Sequence, residues 1–251
     1  MREEKILFKK TGIVISVVVT IWNEEEENIN ELYLRLTNIL LEIKRTYEII
    51  FVDNASNSKV FNILHELYNN DPKVRIVSLT KNFGQAAAFL AGFEYSNGEI
   101  IVTLDSDLQN FPEDLPHFIK KIDEGFDVVS GWRIKRLDPF FTRIIPSYLM
   151  NKIITLRTGK KLHDWGSSFC AINKRVLVGL NNYGANARFI KPLISNITNI
   201  TEIQIKHNCR KRGRSKYIFF SLALLAFDFL INYSLRPKGR YDSLFTIKKV
   251  Y

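Results

Sequence analysis

The most regular feature of the chain is a series of short apolar runs separated by polar stretches. The first run, Ile13 to Ile21, is almost entirely β-branched, which is typical of a strand buried on both faces of a parallel sheet. Three later runs have the length and composition of strands: Tyr47 to Asp53, Val74 to Leu79 and Glu99 to Leu104. The pattern therefore predicts four strands in the first half of the chain.

Amphipathic segments lie between these runs. Apolar residues recur at helical spacing from Ile29 to Ile43, after acidic residues in the first turn, where the helix dipole favours negative charge. A second such segment runs from Val60 to Leu67, and an Ala-rich one from Gln85 to Tyr95 ends at Asn97-Gly98. The alternation predicts an α/β fold with a Rossmann-like, mainly parallel sheet, helices on both faces and right-handed crossovers.

Ligands of such sheets bind at the carboxyl ends of the strands. The residues that directly follow the predicted strands are therefore candidates for a binding site. The Gly-x-Gly-x-x-Gly fingerprint is absent from the sequence, which argues against a nicotinamide enzyme. The candidates are Trp22, Asn23, Glu24, Asp53, Asn54, Asn82, Phe83, Gly84 and the segment 105–109.

Asp105 and Asp107 follow the fourth predicted strand and are separated by one residue. Residues two apart in extended chain point the same way, so both carboxylates can face one ligand. A hard divalent cation such as Mg²⁺ or Mn²⁺ would relieve their repulsion and bridge them to phosphate oxygens. The alternative is that they are solvated turn residues, or that one caps the following helix.

The composition limits the cellular setting and the partners. The chain has 251 residues, 46% of them hydrophobic, which is enough for a full core. The net charge of +10 attracts anions of any kind. Cys170 and Cys209 lack the spacing of a zinc or redox site, and the N-terminal residues lack the apolar core of a signal peptide. We therefore expect free thiols and a cytoplasmic protein.

Seven motifs follow one another along the chain: VVVTIWNEEEENI, EIIFVDNAS, LTKNFGQAAAFLAGFEYSNGEII, VTLDSDLQNFPEDLP, VVSGWR, DWGSSFCAINKRVL and RKRGRSKY. Their order resembles that of a known family, the inverting GT-A glycosyltransferases of family 2, of the dolichyl- and polyprenyl-phosphate sugar transferase type. The resemblance covers residues 15–237, nearly the whole chain. Each motif is weak alone, but their shared order makes the combined signal strong.

The resemblance implies where a nucleotide-sugar binds. The positions that match those for base, ribose and diphosphate are Thr20, Trp22, Glu24, Asp53, Asn82 and Asp105. A carboxylate among them can accept a hydrogen bond from a base N–H. TIWNE at 20–24 stands where the family usually has PVYNE, and DNAS at 53–56 stands for DDGS. These departures leave open whether the donor is a UDP-sugar or a GDP-sugar.

The same resemblance implies the metal site and the groups of the reaction. Asp105, Asp107 and Gln109 match the site for Mg²⁺ or Mn²⁺. Arg133 matches a diphosphate-binding arginine, a role that suits its planar guanidinium, although it could also be a solvated surface residue. Asp164 matches an acidic residue near the acceptor, where a hydroxyl acceptor would need a general base and an ionised lipid phosphate would not.

The densest cluster of cations is RKRGRSKY at 210–217. In the resembling family this loop folds over the diphosphate and the acceptor phosphate, and Arg210 and Lys216 match its functional cations. The cluster could also be a solvated face, but no nucleic-acid recognition motif accompanies it, so we expect no nucleic acid as partner.

The apolar stretches at 139–156 and 219–235 suggest contact with a membrane. The second could span a bilayer, but it contains Asp228 and Asn232, and a helix in the head-group layer of an anionic membrane fits it as well. A core-packed helix or a dimer interface would have the same pattern. We expect a catalytic domain at 1–215 and an interfacial or dimerising segment at 216–251.

These features predict a hexosyltransferase that moves a sugar from a nucleoside-diphosphate donor, with inversion, to a polyprenyl phosphate at the cytoplasmic membrane. A soluble enzyme that extends a surface or capsular glycan, or glycosylates a protein, is the second interpretation. Two further interpretations remain: a nucleotidyltransferase, and a non-catalytic module that binds a nucleotide or a lipid.

Overall fold

The computed structural model describes residues 12–134, 145–180, 189–208 and 244–251, together with Phe229 and Tyr233. Its strands form one sheet in the order β7-β5-β6-β4-β1-β2-β3-β8. The strands are β1 (Ile15–Ile21), β2 (Tyr47–Asp53), β3 (Val74–Leu79), β4 (Ile100–Asp105), β5 (Val128–Arg133), β6 (Cys170–Asn173), β7 (Ile200–Ile205) and β8 (Ile247–Val250).

Helices cover both faces of the sheet, so the predicted α/β fold is confirmed. The first three match the predicted helical segments, and the first four strands match the predicted strands to within two residues at either end. The helices are α1 (Glu26–Ile43), α2 (Ser58–Asn70), α3 (Gln85–Tyr95), α4 (Leu115–Asp123), α5 (Ile145–Thr158), α6 (Lys174–Leu180) and α7 (Ile190–Ile197).

The strands alternate their side chains between two cores. Val17 and Val19 of β1 pack with α1, α2 and α4 on one face, whereas Val18 packs with α3, α6 and α7 on the other. A β-branched run buried on both faces is what the sequence of β1 predicts. Gly92 lets α3 approach closely, because a Cβ there would lie 2.2 Å from Val18 Cγ1.

The register of the parallel strands brings their carboxyl ends to one edge. Ile21 pairs with Asp53 of β2, and Thr20 pairs with Asp105 of β4. Residues far apart in the chain are therefore neighbours at this edge, as the strand-end argument predicts.

The last described segment belongs to the sheet. β8 runs antiparallel to β3, with a bulge opposite Ser78 and Leu79. It belongs to the predicted segment 216–251. The division at residue 215 stays a prediction, because that position lies outside the described residues.

Two observations bear on the apolar stretches. Within the part of the chain that the structure describes, no helix has both the length and the hydropathy to cross a bilayer. Phe229 and Tyr233, the two described residues of the stretch 219–235, are buried against Phe189. Asp228, Asn232 and Cys209 lie outside the described residues, whereas Cys170 is a buried free thiol as expected.

Candidate active site

Asparagine side chains shape the loops that follow β2 and β3. Asn54 donates from Nδ2 to Asn82 Oδ1 at 2.9 Å and accepts from the Phe83 N–H at 3.0 Å. Asn82 Oδ1 also accepts from the N–H of Gly84, which has a φ of 86° at the start of α3. Asn82, predicted to bind the nucleotide, thus has its amide oxygen engaged in holding the two loops together.

The residues that follow β1 are tied to helix α1 and to the loop after β2. Glu24 Oε1 accepts from the Glu25 N–H at 3.1 Å and from Asn28 Nδ2 at 2.9 Å, so it stabilises the first turn of α1. Trp22 stays 39% exposed at this edge. Thr20, near the end of β1, is half-buried.

Asp53 lines a cavity of about 490 Å³ between the ends of β2 and β3. The residue is 4% exposed, and its Oδ1 accepts from the Ser56 N–H at 2.8 Å. No described residue donates to Oδ2. The carboxylate of a buried residue that lines a cavity is suited to accept a hydrogen bond from a ligand.

Asp105 and Asp107 lie together at the tip of β4. Gln85 Nε2 and Ser168 Oγ donate to the two oxygens of Asp105. Burial and the neighbouring charge of Asp107 raise the pKa of Asp105 to about 6. Asp107 is buried, and its Oδ1 accepts from the Gln109 N–H at 3.2 Å across a turn in which Leu108 has a φ of 58°.

The donor atoms at this tip fit a divalent cation that a substrate helps to bind. Among the described residues, no group of three His, Cys, Asp or Glu side chains converges on one point, so a cage made of protein ligands alone is not found there. Mg²⁺ commonly uses one or two carboxylates, with substrate phosphates and water as its other ligands. Asp105 and Asp107 supply such a pair, and the repulsion between them would be relieved by a cation.

Gln109 connects this pair to the chain that precedes the basic cluster. Its Nε2 donates to the Asn208 carbonyl at 3.4 Å, and its own carbonyl accepts from the Asn208 N–H at 2.9 Å. Asn110 and His207 form a bridge beside it. Arg210 and Lys216 lie outside the described residues, but Arg210 follows Asn208 by only two positions in the sequence.

Arg133 and Asp164, predicted as two separate functional groups, are joined in an ion pair. Arg133 donates from Nε to Asp164 Oδ2 at 2.6 Å and from Nη2 to Oδ1 at 2.9 Å. The backbone N–H groups of Arg133 and Gly166 also donate to this carboxylate. The charge of Arg133 also acts on Asp105, whose pKa it lowers against the larger effects of burial and Asp107.

Comparison with known proteins decides the family. The profile of glycosyl transferase family 2 matches residues 16–179, which run from the second residue of β1 to beyond the end of β6. The chain belongs to this family. It is therefore a glycosyltransferase, and the interpretation as a non-catalytic module is wrong.

Two relatives carry the same specific name. The undecaprenyl-phosphate 4-deoxy-4-formamido-L-arabinose transferase of Proteus mirabilis is 34% identical over 225 residues, which are 89% of this chain and 68% of the relative. The transferase of that name from Pseudomonas aeruginosa strain LESB58 is also 34% identical, over 89% of this chain and 66% of its own length. This chain thus spans about two thirds of their length.

Solved structures with a similar fold include glucosyl-3-phosphoglycerate synthase from Mycobacterium tuberculosis. Its complex with Mn²⁺, UDP and glucosyl-3-phosphoglycerate superposes with a TM-score of 0.65 at 17% identity, over 91% of this chain and 82% of that one. The complex with Mn²⁺, UDP-glucose and glycerol 3-phosphate gives a TM-score of 0.66 at 16% identity, over 94% and 92%. At this identity the likeness establishes the GT-A fold and no more.

Sequence reasoning missed two residues around the Arg133–Asp164 pair of this family 2 enzyme. Glu202 on β7 accepts from the backbone N–H groups of His163 and Asp164, at distances of 2.9 to 3.1 Å, and pairs with His163 Nδ1 at 2.8 Å. Lys191 on α7 donates to Ser130 Oγ at 2.8 Å and to the Asp164 carbonyl at 3.2 Å. Each contacts residues that are at least 27 positions away in the sequence, so no local sequence pattern indicates its role.

Proposed function

We propose that this glycosyltransferase moves a sugar from a UDP- or GDP-sugar to a polyprenyl phosphate, with inversion at the anomeric carbon. The acceptor phosphate attacks the anomeric carbon directly, the bond from that carbon to the diphosphate breaks, and the nucleoside diphosphate leaves. The reaction needs no covalent intermediate on the enzyme. The products are a polyprenyl-phosphate sugar and a free nucleoside diphosphate.

Residues along the carboxyl edge bind the donor in this proposal. Asp53 and the cavity that it lines take the nucleoside, since a carboxylate at this buried position can accept a hydrogen bond from a base N–H. Trp22, Thr20 and Glu24 flank the same end. Asp105, Asp107 and Gln109 hold Mg²⁺ or Mn²⁺, which when bound supplies positive charge to the diphosphate. The closeness of Asp105 and Asp107 and the raised pKa of Asp105 support this assignment.

Protein cations stabilise the charge that develops on the leaving diphosphate. Arg133 contributes from a fixed position, because its guanidinium is held by Asp164. Arg210 and Lys216 contribute from the basic cluster. The contacts between Gln109 and Asn208 support this, since they anchor the chain two positions before Arg210 beside the Asp105–Asp107 pair.

The observation that supports a polyprenyl phosphate as the acceptor is the 34% identity, over 89% of this chain, to transferases named for undecaprenyl phosphate. The hydrogen bonds of Asp164 agree with it. Both oxygens of this carboxylate accept from Arg133 and from backbone N–H groups, whereas a general base would direct an oxygen toward an acceptor hydroxyl. An ionised phosphate needs no such base. We therefore assign Asp164 to holding Arg133.

The proposal places the protein at the cytoplasmic face of the membrane, as a peripheral protein. Helix α5 supports this, because Tyr148, Leu149 and Leu156 are 54 to 86% exposed along one side of it. Lys152 lies on the same side, with Nζ 4.7 Å from the centroid of the Tyr148 ring. Exposed apolar and cationic side chains together suit an interface with anionic lipid. Association of two copies through 216–251 stays a prediction.

The test is a transfer assay on the purified chain. UDP- and GDP-sugars are offered with undecaprenyl phosphate in detergent micelles and Mg²⁺ or Mn²⁺, and lipid products are identified by mass spectrometry. We expect a lipid-linked sugar phosphate and stoichiometric nucleoside diphosphate, and no product with undecaprenol, which lacks the phosphate. Transfer to a glycan or a protein but not to the lipid would overturn the acceptor, and release of pyrophosphate would overturn the reaction.

Matched variants test the metal site through donor binding. Asp107→Asn should abolish the effect of Mn²⁺ on donor affinity, measured by calorimetry, because one carboxylate of the pair is lost. Asp123→Asn is the control, since Asp123 lies at the protein surface in an ion pair with Arg45. Wild-type metal dependence in Asp107→Asn would remove Asp107 from the metal site.

A further inference from the structure

Strand β8 contributes a side chain to the cavity that Asp53 lines. The cavity is lined by residues of β2, α2, β3 and β8, and the residue from β8 is Lys248. Its remaining lining is both apolar and polar, with Phe61 and Leu79 on one hand and Ser56 and Thr80 on the other. No motif of the first 215 residues indicates that Lys248 reaches this place.

A β-bulge sets the position of Lys248. Lys249 pairs with Ser78 and Ile247 pairs with Leu79, so Lys248 is the extra residue between two paired positions. A bulge twists its strand locally and redirects a side chain, and bulges are frequent beside binding sites. The strand is held on both sides of the bulge, by the Thr80 N–H to the Thr246 carbonyl at 3.0 Å and by paired bonds between Ile76 and Tyr251.

The same strand supports the apolar wall of the cavity. The Tyr251 ring packs against Phe61 at 5.9 Å and against His65 at 4.9 Å between ring centroids. These contacts fix β8 on helix α2 while Phe61 lines the cavity. A cation, a buried carboxylate and an aromatic ring are therefore assembled around one space.

We infer that β8 completes the nucleoside end of the donor site, with Lys248 donating to a carbonyl oxygen of the base while Asp53 accepts from a base N–H. This inference rests on the proposed function. Lysine offers donors only and an ionised aspartate offers acceptors only, so the pair recognises a base that carries an N–H beside a carbonyl. Uracil and guanine have this arrangement, whereas adenine has no carbonyl. The bulge positions a residue that determines donor specificity.

The test measures the binding of UDP, GDP, ADP and inorganic pyrophosphate by calorimetry with Mn²⁺. Lys248→Met keeps the aliphatic length and removes the donor. It should lower the affinity about tenfold for whichever of UDP and GDP the wild type binds more tightly, since hydrogen bonds to charged groups have this strength. The affinity for pyrophosphate should not change. Lys248→Arg should restore part of the affinity.

The neighbouring lysine provides a matched control. Lys249 is also exposed on β8, but its Nζ lies 4.3 Å from the centroid of the Tyr251 ring and it does not line the cavity. Lys249→Met should therefore bind the nucleotides within about twofold of wild type, well below the effect expected at Lys248.

Three results would overturn the inference. Wild-type affinity in Lys248→Met would remove Lys248 from the site while leaving the proposed function intact. An equal loss for pyrophosphate would assign Lys248 to phosphate instead of the base. Absence of nucleotide binding in the wild type would overturn the proposed function as well, so the two failures are distinguishable.

Discussion

Arg133 and Asp164 form a bidentate ion pair, with Nε to Oδ2 at 2.6 Å and Nη2 to Oδ1 at 2.9 Å, and their side chains are only 12% and 4% exposed. Their positions differ by 31 in sequence, and the fold brings them together beside Asp105. A carboxylate that holds an arginine in place fixes a positive charge near the carboxylate pair, without reorganisation during the reaction.

We expect this buried pair to be strongly coupled in stability. In a double-mutant cycle with Arg133→Met and Asp164→Asn, the coupling should be about 2 kcal/mol, because either single change leaves a buried charge without its partner. Urea unfolding of the four proteins measures it.

The control cycle uses Arg35 and Glu113, which form the same bidentate geometry but with Glu113 49% exposed. Solvent screens that pair, so its coupling should stay below about 1 kcal/mol. Equal coupling in the two cycles would show that burial does not strengthen the Arg133–Asp164 pair.

Glu202 should act as a positioning residue. Glu202→Gln keeps the size but removes the charge that accepts from the N–H groups of His163 and Asp164, so the loop should hold Asp164 less firmly. We expect kcat to fall about tenfold with donor KM within about twofold, since a displaced Arg133 would affect mainly the departing diphosphate.

Steady-state kinetics of the transfer reaction, with a thermal melt of each variant, checks this. Glu124→Gln is the control, because Glu124 pairs with Lys121 on the surface of α4. A normal kcat in Glu202→Gln would limit Glu202 to a structural role.

Glu48 lies at the amino-terminal end of β2, away from the candidate site, and it should make the free energy of unfolding depend on pH. Burial raises the pKa of Glu48, but hydrogen bonds from Ser16 and Asn97 and the ion pair with Arg75 outweigh it, and the pKa is lowered overall. A lowered pKa in the folded state stabilises the protein above the unfolded pKa, about 4.3, and this contribution is lost as the pH falls through the folded value.

Glu48→Gln should therefore lower the free energy of unfolding by about 3 kcal/mol at pH 7, with a smaller difference from wild type below about pH 4. Urea unfolding at several pH values measures this. Glu66→Gln, an exposed site on α2, should change little at any pH. A difference that is constant from pH 7 to pH 3 would contradict the assignment.

Helix α5 should contribute to membrane binding. Leu149→Ser with Leu156→Ser removes two of its exposed apolar side chains, and we expect binding to vesicles with anionic lipid to fall about tenfold or more, because each lost side chain removes apolar area from the lipid interface. Flotation with vesicles of phosphatidylglycerol and phosphatidylcholine measures it.

Leu34→Ser with Leu41→Ser is the matched control, because these leucines are also exposed, but on helix α1. The control should float like the wild type. Equal flotation of the α5 variant and the wild type would show that α5 does not contact the membrane.

The sequence by itself determined the first four strands, the first three helices and the position of Asp105 and Asp107 at a strand tip. These follow from local physics, since apolar runs, helical spacing and the alternation of elements are written within a few residues of each other. The motif order also determined the family. Strand β6 was beyond this reasoning, because it is only four residues long and inserts between β4 and β5 from far along the chain.

Only the tertiary structure decided how the predicted groups are used. It paired Arg133 with Asp164, brought Glu202 and Lys191 to that pair, and placed Lys248 in the lining of the cavity that Asp53 also lines. These arrangements bring together positions that are 27 to 195 apart in the chain, and they depend on strand order and register, which are set by the packing of the whole sheet. The sequence gives the type and position of each of these residues, but which of them meet in space follows only from the fold.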